Sequence, residues 1–185
     1  MKKAMIILIG PSAVGKSSFL ERALKEDLGL CDIITYTSRG KRPGESEGCP
    51  YHFVSRQRFT ELRDQEFFVE WAVVHGNFYG TPKDQIEEAW KRGETVIMDI
   101  DVQGAQSVKK IYPQAVTIFL MPPSVDALRQ RLIKRGPAED LELRLENAQR
   151  EMVLCHQFDH VVINDQFEPA YGEFRKIVEK ASQNQ

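Results

Sequence analysis

Ala4-Met5-Ile6-Ile7-Leu8-Ile9-Gly10-Pro11-Ser12-Ala13-Val14-Gly15-Lys16-Ser17-Ser18 is the stretch from which the rest of the chain is read. An apolar run ends in Gly10, and Gly15-Lys16-Ser17 follows after four residues, fitting the phosphate-loop pattern G-x-x-x-x-G-K-[ST]. A run with no polar interruption suits a strand buried on both faces of a parallel sheet, and the residues after Ser17 read as a helix. An ordinary strand–turn–helix can match by chance, but the strand before and the helix after make the match specific. Gly10 and Gly15 let the backbone approach a ligand closely. The loop N–H groups then converge on phosphate oxygens, and the helix N-terminus adds its unpaired donors and dipole. Lys16 is expected to reach the β- and γ-phosphates and the Ser17 hydroxyl to ligate Mg²⁺. The stretch predicts a loop wrapped around the phosphates of a nucleoside triphosphate.

The chain has 185 residues, enough for one domain with a sizeable core. Its 42% apolar and 28% charged content is that of a soluble globular protein. A formal net charge of −2 gives no global positive field, which argues against nucleic acid or an anionic membrane as partner. The three cysteines, Cys31, Cys49 and Cys155, lack C-x-x-C spacing. They suggest neither a disulfide framework nor a zinc site, but free thiols in a reducing cytosol. Met1-Lys2-Lys3 followed by apolar residues superficially resembles a secretion signal, but the run stops at Ile9 and no small-residue cleavage site follows. No apolar run approaches the ~20 residues of a membrane span. The expected location is cytoplasmic.

Along the chain, the pattern predicts a first helix from about Gly15 to Asp27, with Phe19, Leu20, Ala23 and Leu24 on one face. Residues 32–37 read as one short strand, leading into the basic loop Ser38-Arg39-Gly40-Lys41-Arg42-Pro43-Gly44-Glu45. Tyr51-His52-Phe53-Val54 reads as a strand, and Ser55 as the cap of a helix over 56–64. An apolar segment, Phe67-Phe68-Val69, precedes Glu70-Trp71, and Gly76-Asn77-Phe78-Tyr79-Gly80 reads as an aromatic turn. Pro82 suits the first turn of a helix carrying Ile86, Ala89 and Trp90. Residues 95–101 form a strand ending in acid, 102–111 a helix, and 116–121 another buried strand. Ser124 caps a helix that Gly136-Pro137 interrupts, and a polar helix resumes from about Asp140 to His156. Val161-Val162-Ile163 reads as the last core strand, and 170–181 as an amphipathic closing helix. Strands alternating with helices predict an α/β fold: a parallel sheet with helices on both faces. The aromatic, strand-rich region 35–81 departs from this and reads as an inserted subdomain.

In open α/β sheets, ligands bind beyond the carboxyl ends of strands. Asp99 and Asp101 stand at such an end and share one face, placed like the acid that holds Mg²⁺ through water. Asp101 could equally cap the following helix. Arg39 and Arg42 form a pair of forks that can hold a phosphate, and Tyr51 and Tyr79 can add hydroxyl donors. Arg131, Arg135 and Arg144 flank the Gly136-Pro137 break. They read either as a solvated helix face or as a lid that closes arginines over a transferring phosphoryl group.

With these residues in view, the chain resembles guanylate kinase over nearly its whole length, from the phosphate loop to Val162-Ile163-Asn164-Asp165. The most specific pieces are Gly10-Pro11-Ser12…Gly15-Lys16-Ser17, Arg39…Arg42-x-Gly44-Glu45…Tyr51-x-Phe53-Val54, Phe67…Glu70-Trp71-Ala72, residues 76–81 and Asp99-Ile100-Asp101-Val102-Gln103-Gly104. The resemblance implies phosphorylation of GMP, and of dGMP, by ATP with Mg²⁺. It implies a core (1–34, 82–125 and 155–185), a GMP-binding subdomain (about 35–81) and a lid (about 126–154). ATP would lie on Gly10, Pro11, Ser12, Ala13, Val14, Gly15, Lys16, Ser17 and Ser18, with Asn164 near the adenine. The GMP phosphate would be held by Arg39, Arg42, Tyr51 and Tyr79, and guanine would be read by Thr35, Glu70, Thr81 and Asp101. Asp99 would face GMP and, with Ser17, hold Mg²⁺. Lys16, Arg131, Arg135 and Arg144 would be catalytic. Where the family commonly has a proline at position 41, Gly40-Lys41 is expected to loosen the arginine loop. Ala13 in place of a common glycine is expected to matter little. The lid is about two residues short between Arg135 and Arg144. A kinase with another small acceptor and a non-catalytic interaction module are the competing readings. The intact phosphate loop speaks against the module. Monomer and homo-oligomer both stay open.

Overall fold

A computed structural model describes residues 3–26, 28–74, 76–134 and 141–183. Strand β1 (Met5–Ile9) leads through the glycine loop into α1 (Lys16–Lys25), then β2 (Leu30–Asp32). The region that follows holds β3 (Tyr36–Thr37), β4 (Ser46–Glu47), β5 (Pro50–Phe53), α2 (Arg56–Asp64), β6 (Phe68–Val74) and β7 (Asn77–Pro82). The chain continues with α3 (Lys83–Lys91), β8 (Thr95–Asp99), α4 (Val102–Ile111), β9 (Val116–Met121), α5 (Val125–Lys134) and α6 (Leu141–Val153). A 3₁₀ turn at Leu154–Gln157, β10 (His160–Ile163) and α7 (Phe167–Gln183) complete the order. Among the described residues no helix is long and apolar enough to cross a membrane.

The main sheet is parallel, in the order β10-β9-β1-β8-β2. Its centre is β1, whose five residues are all at most 1% exposed. Side chains alternate along a strand, so Met5, Ile7 and Ile9 pack on one face with Ile86, Ala89 and Trp90 of α3 and Val102, Ala105 and Val108 of α4. Ile6 and Leu8 pack on the other with Phe19 and Ala23 of α1 and Tyr171, Phe174 and Val178 of α7. Each large side chain so buried contributes about 1.5–3 kcal/mol. The Trp90 indole N–H also donates to the Ala4 carbonyl at 2.9 Å, locking α3 to the start of β1. β1 borders β8 on one side and β9 on the other, so the chain reverses its sheet order there, and the crevice at its carboxyl end is where such sheets bind ligands.

The second sheet, in the order β4-β5-β3-β7-β6, mixes parallel and antiparallel pairs. Helix α2 covers it through Phe59 and Leu62 against Phe68. The Ser55 hydroxyl accepts the Arg58 amide at 3.0 Å and so begins α2, as the sequence suggests. Helices α5 and α6 form a separate hairpin joined by Leu128, Leu132, Leu145 and Ala148.

The structure corrects three readings. Residues 32–37 are not one strand: β2 belongs to the main sheet and β3 to the second, with 33–35 crossing between them. The Ile33 amide still pairs with Ile97 at 3.2 Å, while the Gln85 side chain brackets Ile34, accepting its amide at 2.9 Å and donating to its carbonyl at 3.4 Å. Residues 77–80 are strand, because β7 pairs with β6 from Asn77–Val74 onward, and Pro82 both ends that strand and stands at the N-cap of α3, one residue ahead of its first turn. β10 is an edge strand buried only at Val162, with Val161 and Ile163 exposed. Arg135 and Gly136-Pro137 lie outside the described residues.

Candidate active site

The glycine loop curls around the end of β1. Gly10 (φ 144°) passes so close to β9 that a Cβ there would run into the Leu120 carbonyl. Gly15 (φ 111°) caps α1, and a Cβ on it would stand 2.6 Å from the Asn164 amide nitrogen. Ala13, by contrast, is a non-glycine residue at φ 66°. That left-handed backbone costs an L-residue about 1–2 kcal/mol, so the exchange of glycine for alanine is not neutral.

Lys16 opens α1 and folds its ammonium over the loop, donating to the Gly10 carbonyl at 2.6 Å and the Pro11 carbonyl at 3.4 Å. Its Nζ also lies 3.8 Å from the Asp99 carboxylate at the end of β8. Ser17 and Ser18 are exposed in the first turn, and Ser12 is exposed in the loop. Val14 and Pro11 are buried beneath it.

The loop is held from behind. Asn164, 6% exposed just past β10, donates Nδ2 to the Val14 carbonyl at 2.8 Å. Arg131 of α5 donates to the Asn164 carbonyl at 2.8 Å and more weakly to the Val14 and Asp165 carbonyls, both at 3.4 Å. Arg131 and Asn164 therefore both touch the backbone of the loop. Arg144 is partly buried in the first turn of α6.

On the second sheet, Glu70 of β6 is 8% exposed, and the fully buried Thr81 of β7 donates its hydroxyl to Glu70 Oε1 at 2.6 Å. Thr35 is buried where the chain crosses between the sheets. Asp101 accepts the Gly104 amide at 2.7 Å and so does cap α4, as its alternative reading held. It is also close enough to raise Glu70's proton affinity: burial lifts the Glu70 carboxyl to about 7, the Thr81 hydroxyl opposes the rise and Asp101 adds to it.

Arg39 lies over the rings of Tyr51 and Phe53, at 5.5 Å from each centroid, and donates to Glu45 Oε1 at 2.9 Å and the Gly40 carbonyl at 2.7 Å. Glu45 Oε2 accepts the Arg42 amide at 2.8 Å, and Arg42 itself is exposed. Glu45 thus staples the loop that Gly40-Lys41 was expected to loosen, and the Arg39 bond holds its carboxyl below the usual range. Tyr51 and Tyr79 pack edge to face at 5.7 Å. Burial, with Asp99 and then Tyr79 adding, pushes the Tyr51 hydroxyl up to about 12.

Residue-pattern reasoning passed over two further acids. Asp32 ends β2 beside Ile97, on the same face as Asp99. Burial and then the Asp99 charge lift it to about 7. Its signal was the one that singled out Asp99, an acid closing a strand. Glu151 of α6 is raised by burial, pulled back by Lys16 and raised again by Asp101, so the α5–α6 pair also brings a carboxylate to the site. No local pattern marks it, because α6 reaches the loop only through tertiary packing.

A serine hydroxyl in the first turn of α1, Ser17, and a carboxylate at the end of β8, Asp99, are hard oxygen donors. Mg²⁺ keeps several waters and takes one or two protein oxygens plus substrate phosphates, so this donor set suits it.

A family model described as guanylate kinase matches residues 2–181. Among similar proteins, a guanylate kinase of Bdellovibrio bacteriovorus is 50% identical over 182 residues, covering 97% of this chain and 98% of its own. That of Carboxydothermus hydrogenoformans is 39% identical over 181 residues, covering 96% and 89%. A crystal structure of guanylate kinase from Anaplasma phagocytophilum superposes with a TM-score of 0.81 at 30% identity, over 99% of this chain and 89% of that one.

Proposed function

The chain belongs to the guanylate kinase family, and from that premise we propose how its residues divide the work of moving a phosphoryl group from ATP to GMP. The reaction is ATP-dependent phosphorylation of GMP, with dGMP as a second acceptor. The carrying observation is the position of Asp99, 3.8 Å from the Lys16 ammonium and close enough to perturb the Tyr51 hydroxyl of the second sheet. The glycine loop supports an ATP half, and the second sheet a GMP half, meeting at Asp99.

In this reading Gly10 to Ser18 wrap the ATP phosphates and Lys16 follows charge onto the β- and γ-oxygens. Asn164 contributes by gripping the loop. Ser17 and Asp99 would hold Mg²⁺, directly or through water, and the ion supplies neutralisation of charge between the phosphates. Arg39, Arg42, Tyr51 and Tyr79 hold the GMP phosphate. Glu70 accepts N1–H and N2–H of guanine. Adenine would instead turn an N1 lone pair toward that carboxylate, at about 1–3 kcal/mol or more for the unpaired buried group. The Thr81 hydroxyl proton is engaged by Glu70, so its part is to aim the carboxylate, and donation to O6 falls to Thr35. Asp101 completes the base pocket. Arg131, Arg135 and Arg144 stabilise the phosphoryl group as it transfers, and positioning with exclusion of water carries the rest. The corresponding division is a core (1–34, 82–125, 155–185), a GMP-binding subdomain (about 35–81) and a lid (about 126–154), acting in the cytoplasm.

A coupled ADP-release assay with ATP, Mg²⁺ and each nucleoside monophosphate in turn tests this. GMP and dGMP should turn over far faster than AMP, CMP or UMP. Comparable turnover of AMP would overturn the base reading, and turnover without Mg²⁺ would overturn the metal assignment.

A further inference from the structure

Gly104 is the third residue of α4 and is buried. A glycine inside a helix is a poor choice on propensity alone. The backbone does not demand one, since Gly104 is not among the positive-φ glycines. What surrounds it does. A Cβ on Gly104 would stand 3.0 Å from Glu70 Oε2, 3.3 Å from Glu70 Cδ and 3.3 Å from Asp101 Oδ1. The missing side chain is thus a niche between two carboxylates, one from β6 of the second sheet and one from the N-cap of α4.

Each acid is tied through one oxygen, so neither can give way without turning about that bond. Glu70 Oε1 is tied to the Thr81 hydroxyl at 2.6 Å, and Asp101 Oδ1 to the Gly104 amide at 2.7 Å. A methyl group in the niche would therefore swing Glu70 about its Thr81 tie and carry Oε2 away from α4. Hydrogen bonds weaken steeply once distance and angle depart from their optimum. A carboxylate that must meet two donors of one rigid base would lose alignment with at least one of them.

We propose that Gly104 is a specificity-positioning residue, whose absent side chain lets Glu70 and Asp101 converge on the face that reads the guanine base. It rests on the assignment of Glu70 to guanine made above. Gly104 touches no reacting atom and acts through Glu70.

The test is a double-mutant cycle on the full chain, reading KM for GMP, KM for ATP, the ratio of kcat/KM for GMP over IMP, and thermal unfolding. IMP lacks the 2-amino group and so uses fewer of the Glu70 contacts. Gly104→Ala should raise KM for GMP about tenfold and shrink the GMP-over-IMP preference, because one charged hydrogen bond is misaligned. KM for ATP should not move, and the midpoint of unfolding should hold or rise, since alanine is the better helix former. Glu70→Asp draws the carboxylate back by one methylene and empties the contact. In that background Gly104→Ala should change KM for GMP by less than about twofold, the signature of coupled neighbours.

An unchanged KM for GMP in Gly104→Ala, or the same penalty in both backgrounds, would overturn the positioning role while leaving Glu70 in the base site. If Glu70→Asp alone leaves KM for GMP unchanged, the base assignment falls and this inference with it. A partly misfolded variant would lower the amount of active enzyme, and hence apparent kcat, without raising KM, so the readout stays decisive.

Discussion

Replacing Asn164 probes how the phosphate loop keeps its shape. Its Nδ2 is the strong donor to the buried Val14 carbonyl, at 2.8 Å, and the Arg131 contact to the same oxygen is long, at 3.4 Å. Asn164→Ala removes a net hydrogen bond of about 1 kcal/mol and leaves a buried carbonyl poorly satisfied, a further 1 kcal/mol or so, about 2 kcal/mol in all. For a chain of this length 1 kcal/mol corresponds to about 2–4 °C, so the unfolding midpoint should drop by roughly 4–8 °C. KM for ATP should rise as the loop loosens. Asn164→Asp is the sharper variant. It keeps shape and volume but turns a carboxylate oxygen toward the carbonyl oxygen, so it should be worse than alanine by about 1–2 kcal/mol at neutral pH. Lowering the pH should recover part of that loss, because a protonated acid can donate again. Thermal unfolding of the three proteins across pH, with KM for ATP at each point, makes the measurement. An aspartate variant as stable as wild type, or more stable than the alanine variant, would refute the grip on Val14.

Lys16→Ala should cut kcat by at least about 10²–10³, the range for losing one preorganised charge donor, with the fold intact by circular dichroism; a largely retained rate would remove Lys16 from the reacting phosphates. Glu70 predicts a pH dependence of definite sign. Its folded value, about 7, lies above the ordinary 4.5, so its contribution to stability is fully present below pH 4.5 and is lost as pH rises through 7. Guanine needs the ionised form, so kcat/KM for GMP should rise over the same window. Asp32 also titrates near 7, so the difference between wild type and Glu70→Gln isolates the effect, and an unchanged profile in the variant would exclude Glu70. Ala13→Gly relieves left-handed strain of about 1–2 kcal/mol against about 0.5–1 kcal/mol of added chain entropy, so urea unfolding should show a small gain. A loss would show that Ala13's packing against the α5–α6 cluster outweighs its backbone strain.

Local chemistry made the main sheet legible. The unbroken apolar β1, the Gly10–Gly15 spacing and the Ser55 and Ser124 caps each signal their structure within a few residues. The break in 32–37 was hidden because Ile33 and Thr35 are as β-prone as their neighbours, and the decision is made by distant partners, the Ile97 carbonyl and Gln85. The strand at 77–82 was hidden by Gly76 and Gly80, because pairing with β6 and the ring contacts of Phe78 with Trp71 of β6 and Phe59 of α2 override their turn preference. In the site, Lys16 and Asp99 announced themselves by position. The Glu45 staple, the Asn164 grip and the Gly104 niche did not, since each depends on what a neighbouring segment brings to it.

The chain passes between the two sheets at two places among the described residues, once at 33–35 and once where β7 hands over to α3. Gln85 clasps the first crossing from the first turn of the helix that follows the second. Two adjacent tethers fastened to each other define a line, as the knuckles and pin of a door define its axis. Cutting the Gln85 bonds would release the two crossings from each other. The half of the molecule that carries Glu70, Arg39 and Tyr51 is therefore joined to the main sheet along one stitched seam, not by two separate strings.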